Sequence, residues 1–345
     1  MNAALVGLLI LIVAGVANGS FTLPMKFTHA WAWENTWLVY TVWALVVFPP
    51  LLATLTVPGL GAIYAAPGAA ALAWIVAACG FGWGVSQIFF GLAVDNVGIA
   101  LAFSVILGLA AAVGSIEPLL RQNPAALFQP IGLKVLGGVA LVLAGVGICA
   151  IAGQRREAVQ KTSPGEAVGA AAAAPAHKAS LAMGLVYCLI SGVGSALVNI
   201  GFTEGAPLQQ LARAQGAAAI WAPNAIWLPL MLAGGVPGWI YCSYLVKKNR
   251  TAPRFRRPGT GMYWLLAGVM ALFWFGSTVL YGIGAGELGR LGTVLGWPVF
   301  MSLIVITAGV HGRLTGEWKG SPGPARIQAL GLAVLVLAIV VLSRA

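Results

Sequence analysis

The sequence predicts an all-α integral membrane protein: ten transmembrane helices arranged as two inverted five-helix repeats. Three observations carry that expectation. Of the 345 residues, 60% are hydrophobic and 8% charged. A soluble domain carries about 25% charged residues, so this chain has too little polar surface to face water. Ten mostly apolar runs, each about the 20 residues that cross a bilayer, follow one another between short connectors. Finally, a motif in the third run recurs in the eighth. Trp83, Ser86, Gln87, Phe90, Gly91 and Gly98 align with Trp274, Ser277, Thr278, Tyr281, Gly282 and Gly289 at one offset of 191 residues.

The spans are expected near 3–23, 34–56, 68–93, 97–117, 131–152, 180–202, 217–246, 262–285, 293–312 and 325–343. Without water in the hydrocarbon, backbone groups must bond within each segment, so each run is read as a helix. Pro49-Pro50, Pro58 and Pro67 mark the second connector, and Pro118, Pro124 and Pro130 the fourth; the other spans are bounded by Gly, Pro or charge. The first run is apolar from Ala3 with no basic segment before it, which argues for a retained helix over a cleaved signal peptide.

The connector 153–179 is polar, then alanine-rich, and reads as a flexible cytoplasmic linker. It separates a first five-helix repeat, 1–152, from a second, 180–345. Weaker echoes pair Leu141–Ala144 with Leu335–Ala338, and Gly15-Val16 with Gly192-Val193. An odd number of spans per repeat forces the halves into opposite orientations, the plan of many secondary transporters, which hold substrate near the midplane at the repeat interface.

Basic residues fix the orientation. Lys26, Arg155, Arg156, Lys161, Lys178, Lys247, Lys248, Arg250, Arg254, Arg256, Arg257, Arg313, Lys319 and Arg326 fall on one side, fourteen of the nineteen Lys and Arg. The positive-inside rule places that side in the cytoplasm and both termini opposite. The same distribution accounts for the net charge of +11 without nucleic acid. Cys79, Cys149, Cys188 and Cys242 stand alone in apolar runs, with no spacing for a disulfide framework or zinc site. No P-loop, HExxH or GxSxG motif is present, and neither enzyme activity nor a cofactor is expected.

The candidate site lies in the polar residues inside spans. Trp83, Ser86, Gln87 and Phe90 share one helix face, as do Trp274, Ser277, Thr278 and Tyr281. A serine or threonine in a membrane helix often only bonds back to its own i−4 carbonyl. The amides of Gln87, Asn18, Asn199 and Asn224 have more donors to satisfy. Aromatic faces beside amides and hydroxyls suit a neutral sugar: indole meets its C–H face and the polar groups its hydroxyls. Among the eight acids, Glu34 is the preferred proton carrier and Lys26 its charge partner. The reading is a secondary transporter importing a small sugar by proton symport, with the sugar, protons and the bilayer as its partners; the protein is expected as a monomer or homodimer. An exporter or facilitator of another metabolite is the alternative, and a membrane enzyme acting on lipid-linked sugar a more distant one.

The chain also resembles the L-rhamnose–proton symporter family of the drug/metabolite transporter superfamily. The resemblance rests on Leu23-Pro24-Met25-Lys26, Trp31-Ala32-Trp33-Glu34, Gly80 with Trp83-Gly84, Gly91-Leu92, Ala152-Gly153-Gln154 with Glu157, and Glu317-Trp318. It implies a monosaccharide substrate, proton coupling and a bacterial inner membrane. The run Leu291–Trp297 keeps the family's tryptophan, Trp297, which joins the candidate sugar-binding residues, but lacks the acid that rhamnose carriers hold there. The identity of the sugar therefore stays open.

Overall fold

The computed structural model describes residues 3–122, 124–162 and 181–344, and among them the regular structure is all helical, with no strand. In chain order the helices are α1 (Ala3–Ser20), α2 (Trp33–Thr41), α3 (Phe48–Thr56), α4 (Leu60–Ala65), α5 (Ala69–Val97), α6 (Ile99–Gln122), α7 (Pro130–Thr162), α8 (Leu181–Glu204), α9 (Ala206–Ala214), α10 (Asn224–Lys248), α11 (Gly261–Glu287), α12 (Gly292–Leu314) and α13 (Pro322–Ser343). Among the described residues, ten segments are long and apolar enough to cross a membrane. The protein is a multi-pass membrane protein, and each expected span has its counterpart.

Two boundaries and one proline marker differ from the sequence expectation, each for a local reason. Pro49-Pro50 lies inside the second span rather than in the connector after it. Proline lacks an N–H and crowds the carbonyl four residues back. Here the helix widens into a π turn at Val42–Val47 just before the pair, and Phe48 N–H donates to the Trp43 carbonyl. The seventh span starts at Asn224 and not near 217, because 217–223 form turns that end in Pro223 at the helix cap. Helix α7 continues through 153–162, the first part of the expected linker; 163–179 lie outside the described residues.

The chain forms two compact units. One contains Met1–Val85 and Leu197–Gly296, the other Ser86–Ala196 and Trp297–Ala345. Each draws on both halves of the sequence. In the first unit α1 packs along α11. Helix α5 closes on the backbone of α10 through Gly80 and Gly84, where an added Cβ would stand 2.0 Å from the Leu230 carbonyl oxygen and 2.2 Å from that of Gly234. Small residues four apart allow such contact between membrane helices. In the second unit α7 packs against α13 and α6, and a Cβ on Gly331 would stand 2.9 Å from the Gly145 carbonyl oxygen.

Candidate functional site

Close packing of α5 on α10 positions the first tryptophan. The Trp83 indole lies against Gly234, whose added Cβ would meet the ring at 2.7 Å. Toward α11 it stacks on Trp274, with centroids 5.5 Å apart and planes 13° from parallel. Two residues matched by the 191-residue offset therefore touch. Tyr40 meets Trp274 edge-on at 6.3 Å. Trp37 lies 5.0 Å from Tyr40 and 5.3 Å from Trp33, continuing the rings to the start of α2.

Polar bonds surround this stack. Asn18 Nδ2 donates to Ser277 Oγ at 2.8 Å, and that hydroxyl donates to the Trp274 carbonyl at 2.6 Å. Thr278 bonds back to the same carbonyl at 2.9 Å. Tyr281, fully enclosed, donates its hydroxyl to Asn199 Oδ1. Asn199 Nδ2 reaches the Thr293 carbonyl at 3.1 Å, tying α8 to the start of α12. Asn224 Nδ2 donates to Thr56 Oγ1 at 2.9 Å. The structure thus brings Asn18 to Ser277 and Asn199 to Tyr281, and gives Asn224 a partner of its own.

Glu34 stands in the first turn of α2 and is 6% exposed. Its Oε1 accepts from Thr251 Oγ1 at 3.0 Å and Asn249 Nδ2 at 3.1 Å. Both donors come from the end of α10. There Arg250 takes a left-handed conformation, φ 54°, and Thr251 N–H returns to the Val246 carbonyl at 3.0 Å. Glycine is the usual residue in this helix-ending turn, and a non-glycine costs about 1 kcal/mol there. The turn brings the flanking side chains 249 and 251 together on one carboxylate oxygen. Asn35 Nδ2 adds a bond to the Thr251 carbonyl at 3.2 Å, and Trp31 Nε1 one to Arg254 at 3.1 Å. Lys26 lies in the last turn of the 3₁₀ segment Leu23–Phe27. Sequence reasoning did not single out Asn249 and Thr251, because a polar pair after a basic helix end reads as an ordinary cap.

The second unit holds the remaining candidates. Gln87 Nε2 donates to Ser195 Oγ on α8 and to Ser86 Oγ, both at 3.3 Å. Ser86 is buried, whereas Gln87 is exposed. Gln87 sits ten residues from the end of α5, roughly 15 Å at 1.5 Å per residue. Phe90 rests edge-on against Phe103 at 4.7 Å, packed on the buried cluster of Ala93, Ala102, Ile106 and Cys188. Trp297 is buried across Gly114 and donates its indole N–H to the Ala110 carbonyl at 2.8 Å. Glu317 pairs with Arg156 at 3.4 Å, and that guanidinium lies 4.9 Å from the Trp318 ring centre. This links the two sequence elements that follow the fifth and ninth spans.

Ten apolar spans carrying buried amides, paired indoles and an enclosed carboxylate define a multi-pass membrane protein with a polar interior. The sequence model of the family "L-rhamnose-proton symport protein (RhaT)" matches residues 1–345, and the chain belongs to that family. Its family is one of transporters rather than enzymes. Similar proteins include the L-rhamnose-proton symporter of Cronobacter sakazakii, 25% identical over 345 residues, with 98% of this chain and 96% of that protein covered. Those of Salmonella paratyphi A and Escherichia coli are 24% and 23% identical at the same coverage.

Proposed function

We propose that this protein imports a small monosaccharide across a bacterial inner membrane by symport with protons. Membership of the L-rhamnose-proton symport family over the whole chain supports this reading, and its relatives bear that name. The observation that carries the coupling is Glu34, a carboxylate enclosed in a membrane protein and held by two hydrogen-bond donors at a helix junction. As an anion it accepts both bonds. Protonation weakens Oε1 as an acceptor, so taking up a proton loosens the tie between α2 and the end of α10. Lys26, in the 3₁₀ segment just before α2, is proposed as its charge partner in another conformation.

The repeated motif is proposed to serve the sugar. In the first unit, Trp83 and Trp274 are the aromatic platforms, and a pyranose would exchange one indole face for its own. Asn18, Ser277 and Thr278 border them, with Asn199, Asn224 and Tyr281 setting the surrounding helices. In the second unit Gln87 and Ser86 supply amide and hydroxyl, with Phe90 further along α5 and Trp297 on α12.

The inverted-repeat arrangement of 1–152 and 180–345, with a drug/metabolite transporter-like fold, is part of the proposal. Three features support it. Stacking of Trp83 on its own equivalent is the kind of self-complementary contact a two-fold axis produces. Gly98 and Gly289, also equivalent, both close their helices with positive φ, 84° and 79°. The bond from Asn18 in the first span to Ser277 in the eighth is echoed by the bond between Ser195 in the sixth and Gln87 in the third. Fourteen basic residues on one side put that face in the cytoplasm.

Purified protein in proteoliposomes with an alkaline interior tests the reading. L-rhamnose and a panel of other deoxy- and hexose sugars are offered outside. At least one should accumulate above its external concentration and acidify the interior; equilibration of all of them regardless of the proton gradient would overturn symport.

A further inference from the structure

We infer that the first unit carries a binding site for an anionic phospholipid, its headgroup on the connector 247–257 and an acyl chain in the groove beneath. The connector holds Lys247, Lys248, Arg250, Arg254, Arg256 and Arg257 and no acid. Positive-inside bias explains basic residues there, but not their fixed arrangement. Residues Ala252–Arg256 form a 3₁₀ turn, between the buried Thr251 and Thr260. The Arg254 carbonyl is bonded by Trp31 Nε1 at 3.1 Å, and the Arg257 carbonyl by Thr260 Oγ1 at 2.7 Å. Arg256 and Arg257 remain exposed.

Between Arg254 and Arg256, Phe255 turns inward and lines a groove of about 340 Å³. Trp264 on α11, Trp239 on α10, Leu38 and Val39 on α2, and Val42, Trp43 and Val47 on the π turn form the rest of its wall. The groove begins beside the basic connector and runs away from it to Trp239, nine residues back from Lys248 on α10, roughly 13 Å at 1.5 Å per residue. A π turn widens one wall, and such turns recur at functional sites. An apolar groove of this length opening under basic residues carried on a fixed backbone turn matches a ligand with an acyl chain and an anionic head. A soluble phosphate would leave the groove unfilled, and a zwitterionic lipid would leave the charges unmatched. Clusters of four to eight basic residues beside a membrane helix bind anionic lipid in this way.

Native mass spectrometry and thermal melts of the detergent-purified full chain test the site. Phosphatidylglycerol is compared with phosphatidylcholine of the same acyl chains, and with glycerol 3-phosphate, which is a head without chains. Phosphatidylglycerol should bind at least ten-fold tighter than phosphatidylcholine and raise the melting temperature, with glycerol 3-phosphate doing neither. At about five-fold per charge near the surface, Arg254→Gln/Arg256→Gln/Arg257→Gln should lower that affinity roughly a hundred-fold. Val47→Phe, which fills the groove, should weaken phosphatidylglycerol without changing the response to glycerol 3-phosphate. If the glutamine variant does not fold, the unaltered protein decides by salt: the preference should shrink between low and high ionic strength. Equal binding of the two lipids, a preference that salt or the triple variant leaves intact, or an equal response to glycerol 3-phosphate would each overturn the proposal.

Discussion

In the second copy of the repeated motif, Ser277 accepts from Asn18 at 2.8 Å and Tyr281 donates to Asn199, both within a closed interior. In the first copy Gln87 reaches Ser195 at 3.3 Å and stays exposed, while Phe90, at the place of Tyr281, leans on Phe103. The glycine that follows differs too. A Cβ on Gly282 would meet Trp227 at 3.0 Å, whereas one on Gly91 would meet nothing within 4 Å. Both copies nevertheless keep a tryptophan at the start and a left-handed glycine at the end. The shared residues set helix geometry, and the differing ones divide the labour. Ser277, Thr278 and Tyr281 of the second copy hold bonds within the protein; in the first, both Nε2 hydrogens of Gln87 go to serine hydroxyls, and we propose that its amide oxygen accepts from a solute.

The largest expected effect breaks the scaffold. Gly84→Leu puts a side chain on the Gly234 backbone, 2.2 Å from its carbonyl oxygen, and should leave little monodisperse protein by size-exclusion chromatography. Glu34→Gln should abolish accumulation of sugar against a gradient while leaving equilibrium exchange measurable in proteoliposomes. If the variant still concentrates sugar, Glu34 is not the coupling group. Trp83→Ala and Trp274→Ala should each weaken sugar binding by about 1–3 kcal/mol, by analogy with bases stacked on aromatic side chains, or roughly 5- to 150-fold in Kd. Unchanged affinity in both would make the stacked pair scaffold. Gly91→Ala is the smallest change: helix propensity favours alanine by up to about 1 kcal/mol, so the melting temperature should hold or rise slightly.

The ten spans were legible in the sequence because a bilayer dictates both the length and the composition of what crosses it. The 191-residue offset singled out Trp83 and Trp274, and their stacking on one another was not legible in it. Which partners the amides find was not legible. Asn18 finds Ser277 and Asn199 finds Thr293, partners distant in sequence that no spacing reveals. Asn249 and Thr251 escaped for a related reason: their role depends on the left-handed turn at Arg250, where glycine would have been the recognisable signal. The proline pair at 49–50 was read as a boundary because its cost is plain in sequence, and the π turn that absorbs the pair is not.

Gln87→Leu and Tyr281→Phe, compared side by side by sugar titration and thermal melt, test the division of labour most directly. Gln87→Leu roughly keeps the volume and removes the amide. It should raise the Kd about ten-fold or more, hurting fully hydroxylated sugars beyond deoxy analogues, because unpaired polar groups are what discriminate. Its melting temperature should stay close to that of the unaltered protein. Tyr281→Phe leaves buried Asn199 Oδ1 without that donor, a cost of about 1–3 kcal/mol in stability, and should lower the melting temperature while Kd changes little. The reverse pattern, with Tyr281→Phe losing affinity at full stability and Gln87→Leu binding sugar normally, would contradict the account.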